Sequence, residues 1–112
     1  MILELLRQTL LDCIEKLGLP TDFVLELRGY SKTYNGRYIP RDKKVVLYAL
    51  KKNNELRDRN TLLKILIHEA IHHYQWYHDP EFKRVKGVMH NEEFKRMERE
   101  LIQKAKELNL LE

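Results

Sequence analysis

Residues 62–71 form a nearly continuous apolar run in a chain of which 34% of the residues are charged. The run reads Leu-Leu-Lys-Ile-Leu-Ile-His-Glu-Ala-Ile. A helix that is apolar on nearly every side is buried on nearly every side. We therefore predict a central helix from about Leu62 to Tyr77, capped by Asn60 or Thr61. A chain of 112 residues can build one modest core, so we expect a single domain, residues 1–112, around this helix.

The flanking patterns predict two further helices and an α+β fold. Apolar residues recur at helical spacing over residues 2–17, which indicates an N-terminal amphipathic helix. Asn91 precedes two acidic residues and an apolar stripe, which predicts a C-terminal helix from about Glu92 to Leu111. A short helical piece is also predicted to begin at Asp79 and to end at Gly87.

The residues between the first two helices predict a small, three-stranded, largely antiparallel sheet. Residues 23–28 alternate between apolar and polar, and residues 44–50 are rich in strand-forming side chains. The dipeptide Asn35-Gly36 suits the two positive-φ positions of a type I′ turn, so we predict a hairpin there. Residues 40–43 are predicted to form a second turn.

The central helix carries a metal-binding pattern, His-Glu-Ala-Ile-His, at residues 68–72. His68 and His72 are one helical turn apart on one face, so both imidazoles can hold one zinc ion. Glu69 is rotated by roughly 100° from His68 and can reach a water on the metal. The ion lowers the pKa of that water, and the carboxylate takes its proton. The pattern therefore predicts one Zn²⁺, with Glu69 as the catalytic base of a peptidase.

Catalytic zinc sites need a third protein ligand. His90 is the preferred candidate, because it follows the helix break at Gly87 and could close the site from a second element. His73 is discounted, since it directly follows a ligand and points about 100° away.

Other residues remain open as the third ligand. His78 has the spacing of the His-Glu-x-x-His-x-x-Gly-x-x-His pattern, but Gln75 stands where that pattern has the glycine that reverses the chain. Asp79, and Glu92 and Glu93 at the start of the last helix, are the further candidates.

Composition limits the compartment and the partners. Cys13 is the only cysteine, so no intramolecular disulfide can form and a cytoplasmic location is expected. No apolar run reaches the roughly 20 residues of a membrane span, and the start of the chain lacks the basic region of a signal peptide. The net charge of +4 is spread among many acids, so a nucleic-acid partner is permitted but not required.

These features resemble the minigluzincins, the minimal gluzincin-type zinc metallopeptidases that include proabylysin and projannalysin. The resemblance rests on the element order and on the His68-Glu69-x-x-His72 motif, and it covers the whole chain. It implies His68, His72 and His90 as zinc ligands and Glu69 as general base. It also implies a zymogen, in which residues 92–112 would maintain latency. The leucines at the end of that segment would dock in the cleft, on the core, or on a second copy of the chain in a homodimer.

The segment His90-Asn91-Glu92-Glu93-Phe94 is also similar to the His-Gly-x-x-Phe segment of SprT-like peptidases, which act on proteins attached to DNA. Asn91 replaces the glycine of that segment. A non-catalytic zinc-binding protein and a basic nucleic-acid-binding module are the remaining alternatives.

The expected substrate is a peptide or unfolded protein, bound in an extended form along an edge strand. We predict that residues 44–50 form this edge. Tyr74, Tyr77 and His73 are the candidate donors to the oxyanion.

Overall fold

The computed structural model describes residues 2–82 and 91–112. The helices and strands in chain order are α1 (Ile2–Lys16), β1 (Val24–Arg28), β2 (Gly36–Ile39), β3 (Lys44–Tyr48), α2 (Arg59–Tyr77) and α3 (Glu92–Glu107). The α+β class is confirmed, with a helix at each end, a three-stranded sheet and a buried central helix. Most of the short helical piece predicted over Asp79–Gly87 lies outside the described residues.

Helix α1 covers the core with one apolar face. Leu10 and Ile14 on that face are completely buried. Gly18 has a φ of 82°, a left-handed conformation that glycine adopts without steric cost, and it ends the helix as predicted.

The sheet has the strand order β1-β3-β2, so β3 is its central strand. Strands β2 and β3 are antiparallel, whereas β1 and β3 are parallel, which refines the prediction of a largely antiparallel sheet. The turn between β2 and β3 is a short 3₁₀ helix, Pro40–Asp42, followed by Lys43 with a φ of 47°. The second predicted turn is therefore the hairpin turn.

The hairpin predicted at Asn35-Gly36 is wrong. The preceding strand, β1, ends at Arg28 and does not pair with β2, and Gly36 is itself the first residue of β2. Its glycine serves a different purpose, because a Cβ at position 36 would lie 2.7 Å from Cγ2 of Ile65 on α2. Because residue 36 has no side chain, β2 lies closer to α2 than it could with any other residue at this position.

Helix α2 begins at Arg59 and is capped by Asp58, whose carboxylate accepts a hydrogen bond from the Thr61 backbone N–H. The predicted start at Leu62 and the predicted cap at Asn60 or Thr61 are therefore wrong. Asp58 also satisfies an orphan N–H group, and it stands one turn before the apolar run. The predicted burial is confirmed, with four apolar residues of the first half of α2 fully buried: Leu62, Leu63, Leu66 and Ile67.

Helix α3 begins as predicted, with the Asn91 side chain accepting a hydrogen bond from the Phe94 backbone N–H. It ends at Glu107, and the tail beyond it turns back onto the core, where Leu110 and Leu111 are buried. A guanidinium nitrogen of Arg59 donates to the Leu110 carbonyl and ties this tail to the start of α2. In the part of the chain that the structure describes, no helix is both long and apolar enough to cross a membrane.

Candidate metal centre

Helix α2 presents His68 and His72 on one face, as their spacing predicts. Their ring centroids are 5.1 Å apart, and the rings are nearly perpendicular. His72 is buried, whereas the His68 side chain keeps 32% of its surface exposed. One ring thus forms the floor of the site and the other lies at its mouth.

Phe94 of α3 packs against both imidazoles. Its ring centroid lies 4.8 Å from that of His68 and 4.5 Å from that of His72. Phe94 is 1% exposed, so the first turn of α3 closes this side of the site with a fixed apolar wall. Such a wall restricts the rotamers of both rings and excludes water.

Glu98 of α3 is a site residue that the sequence analysis missed. Its Oε2 lies 2.7 Å from Nδ1 of His68. In the tautomer that donates from Nδ1, the lone pair of His68 lies on Nε2, the atom that a metal would bind. A carboxylate on the distal nitrogen of a metal-binding histidine commonly fixes both tautomer and ring orientation. The only sequence signal was an acid one turn after Phe94, near the apolar stripe of α3.

Glu69 lies beside these histidines and is 9% exposed. Burial raises the pKa of its carboxyl above the ordinary value; the nearby His68 opposes the rise and the charge of Glu98 adds to it. The side chain lines the same cavities as His68. A carboxylate in such a place is a stronger base than one in water.

The cavity beside the site is a groove between β2 and α2, which we call the β2–α2 groove. It has a volume of about 420 Å³ and is lined on one side by β2 and on the other by His68, Glu69 and His72. The predicted substrate edge at residues 44–50 is wrong, because β3 is paired on both sides. Strand β2 is the edge strand that borders the site, and no described residue pairs with its outer edge.

Another side of α2 carries a second histidine cluster. His73 is completely buried; its Nδ1 lies 2.7 Å from the Tyr38 hydroxyl and its Nε2 lies 2.8 Å from Oδ1 of Asp22. Nε2 of His78 lies 2.8 Å from the same oxygen. Burial acts to raise the pKa of Asp22, but the hydrogen bonds to the two histidines outweigh it and lower that pKa to about 2.

This second cluster bears on the alternatives for the metal site. Over residues 2–82 and 91–112, Asp22, His73 and His78 are the one group of three metal-binding side chains whose ligand atoms all lie within 4.8 Å of one another. The structure therefore brings His78 to Asp22 and His73. Two of the predicted oxyanion donors are engaged elsewhere. His73 has no exposed surface with which to reach a substrate, and the Tyr77 hydroxyl donates to the Pro40 carbonyl.

Two further candidates for the third ligand lie at the start of α3. Glu92 and Glu93 form ion pairs with Lys95 and Arg96 on the outer side of the helix, and the Glu92 side chain is 91% exposed. His90 lies outside the described residues.

No protein-family model, curated protein or solved structure matches this chain.

Proposed function

We propose that the protein is a cytoplasmic zinc-dependent endopeptidase that cleaves extended peptides or unfolded proteins in the β2–α2 groove. The observation that carries the proposal is the pairing of His68 and His72 on one face of α2 with the buried carboxylate of Glu69 beside a groove. The resemblance of the sequence to the minigluzincins supports the same activity.

The residues present fit a zinc ion. Two imidazoles lie one turn apart, and a carboxylate on Nδ1 of His68 orients one of them. His68 and His72 would hold the ion together with His90, the third ligand that we propose. Zinc, when bound, supplies a Lewis acid that polarises a carbonyl and makes water easier to deprotonate.

The other parts of the reaction fall to the chain itself. Glu69 accepts a proton from the attacking water and returns it to the leaving amine. Its burial keeps competing water away and strengthens its interaction with the reacting groups. Phe94 packs against both histidine rings and holds them in place.

The substrate would bind as an added strand on the outer edge of β2. A peptide held by main-chain hydrogen bonds needs little sequence specificity, which suits an unfolded protein. Strand β2 lies against α2 because Gly36 has no side chain, so a peptide on this strand passes close to Glu69.

The test of the proposal is Glu69→Gln in the full-length chain with an unfolded, fluorescently labelled protein as substrate. Hydrolysis should fall by about 10²- to 10⁴-fold, while the zinc ion at His68 and His72 is retained, because the carboxylate acts as a base and not as a ligand. The matched control is Glu100→Gln, an exposed acid of α3 that should leave both unchanged.

Two outcomes would contradict the assigned role. Unchanged hydrolysis would remove Glu69 from the reaction, and loss of zinc would make it a ligand. Zinc retained without hydrolysis in the unaltered chain would favour either a non-catalytic zinc protein or the latent form predicted from residues 92–112. In that latent form α3 would be the closing segment, since Phe94 and Glu98 lie against His68.

The third ligand is tested separately by comparing His90→Ala with His78→Ala. We expect the first change to weaken zinc binding at the peptidase site far more than the second, because His78 is hydrogen-bonded to Asp22. Competition with a chromophoric chelator measures both affinities, and hydrolysis reports which ion is lost. The reverse order would assign the third ligand to His78.

A further inference from the structure

We propose that Asp22, His73 and His78 form a second binding site for a divalent transition-metal ion, separate from the peptidase centre. The three ligand atoms already converge: Oδ1 of Asp22 lies 2.8 Å from Nε2 of His73 and 2.8 Å from Nε2 of His78. All three lie within 4.8 Å of one another, so one ion can reach them with small side-chain movements.

The donor set selects the class of ion. Two imidazoles and one carboxylate suit zinc, cobalt, nickel or copper, whereas magnesium and calcium prefer sites built from oxygen alone. Three protein ligands leave at least one coordination position for water or another small ligand. The side chains of Asp22 and His78 are 47% and 34% exposed, which gives the ion a path from solvent.

The surroundings hold one ligand rigidly in place. His73 has no exposed surface, and its ring packs at centroid distances of 5.2 Å from Phe23 and 5.5 Å from Tyr77. The Tyr38 hydroxyl lies 2.7 Å from Nδ1 of His73. When Nε2 binds an ion, the ring proton moves to Nδ1 and is donated to the Tyr38 oxygen, which is the outer-shell arrangement typical of metal-binding histidines.

The site also has an opposing charge. Nζ of Lys43 lies 3.7 Å from Oδ2 of Asp22, on the oxygen that does not contact the histidines. A cation bound at Oδ1 would be repelled by this ammonium group. The Lys43 side chain is 46% exposed and long, so it can move into solvent when the ion binds.

An ion at this position would connect distant parts of the chain. Asp22 precedes β1, and His78 directly follows the last residue of α2 as its C-cap. Joining them ties the C-terminal end of α2 to the entry of the sheet. Binding to the folded chain alone would therefore raise its thermal stability.

The experiment removes the peptidase ligands first. Full-length His68→Ala/His72→Ala is titrated with Zn²⁺ alone and with Co²⁺ alone, by calorimetry and by visible absorption. We expect one bound ion per chain and a higher thermal midpoint on metal addition. Adding Asp22→Asn or His78→Ala to this variant should weaken binding by more than about 100-fold, since loss of an outer-shell partner alone costs about 10- to 100-fold.

Two matched changes sharpen the result. Asp42→Asn alters an exposed carboxylate and should leave binding unchanged. Lys43→Gln should tighten binding several-fold, because it removes the opposing charge. If the His68→Ala/His72→Ala chain proves unfolded, Asp22→Asn/His78→Ala in the otherwise unaltered chain should lower the stoichiometry from two ions to one and keep hydrolysis.

The proposal is overturned if the folded His68→Ala/His72→Ala chain binds no ion, or binds one that Asp22→Asn and His78→Ala do not weaken. Neither result bears on the proposed peptidase activity, which is tested by the effect of Glu69→Gln on hydrolysis. A chain that hydrolyses substrate but holds one ion in total would sustain the proposed function and reject this second site.

Discussion

Helix α2 places histidines on two of its sides, and the two sides differ in what meets them. On one side, His68 and His72 meet α3, through the ring of Phe94 and the carboxylate of Glu98. On the other side, His73 meets the loop before β1 and strand β2, and it has no exposed surface. Only the first side opens onto the β2–α2 groove. Histidines of one helix can therefore border an open groove or be fully enclosed, according to the element that packs against them.

The largest expected effect comes from removing the Phe94 ring on the first side, and Phe23 on the other side provides the comparison. Phe94→Ala should lower the free energy of unfolding by about 3–5 kcal/mol, because it empties a fully buried volume. It should also weaken zinc binding at His68 and His72, because their rings lose the packing contact with Phe94. Urea unfolding and zinc competition measure the two effects.

Phe23→Ala is the matched change on the other side, where the ring packs against His73. It should also destabilise the fold, yet leave hydrolysis per folded molecule unaltered. If Phe23→Ala reduced activity as much as Phe94→Ala, the two sides would not be separate.

The next largest effect is expected at the interior side. Tyr38→Phe removes the hydroxyl group at Nδ1 of His73, and a buried polar atom that loses its partner costs about 1–3 kcal/mol. Urea unfolding measures the loss. Tyr77→Phe is the control, since its hydrogen bond to the Pro40 carbonyl lies near the surface and should contribute only about 0.5–1.5 kcal/mol. A larger loss from Tyr77→Phe would mean that His73 is not anchored through Tyr38.

The smallest effect on folding stability is expected at Glu98, where the change falls on zinc affinity instead. Glu98→Gln should reduce zinc affinity at the peptidase site by about 10- to 100-fold, since the amide orients His68 less strongly than the carboxylate does. Folding stability should change little. Lys104, on the same helix, donates to the Leu17 carbonyl, and Lys104→Gln should leave zinc affinity as it is. Equal zinc affinity in Glu98→Gln and the unaltered chain would show that Glu98 does not orient the ligand.

Helices were predictable because their signals are local. The apolar run of α2, the glycine after α1 and the cap at Asn91 each act within a few residues, and each prediction was confirmed. The start of α2 was wrong because Asp58, Asn60 and Thr61 are all competent caps within four positions, and sequence alone does not rank them.

The sheet order was less predictable, since strand pairing depends on contacts far apart in the chain. Asn35-Gly36 matches a local turn pattern, but the glycine is needed because Ile65 of α2 lies so close to it. No local sequence pattern reveals that contact. For the same reason, β3 was taken for an edge strand when it is central.

The motif of the candidate site could be recognised, but its surroundings could not. The spacing of His68 and His72 implied a shared face, and the structure has it. Glu98 and Asp22 reach their histidines over 30 and 51 residues of sequence, respectively. His73 points away from His68 and His72, as the helical rotation predicts, but that rotation does not indicate which residues His73 contacts.

Because position 36 has no side chain, the backbone of β2 sets the width of the groove in which we propose that peptides bind. Any larger residue there would push the strand outward by a distance set by its own size, and with it every peptide that lies along the strand. The reach from the scissile bond to Glu69 would then lengthen without any change in the ligands. A single methyl group added at position 36 should therefore slow turnover while leaving metal content intact.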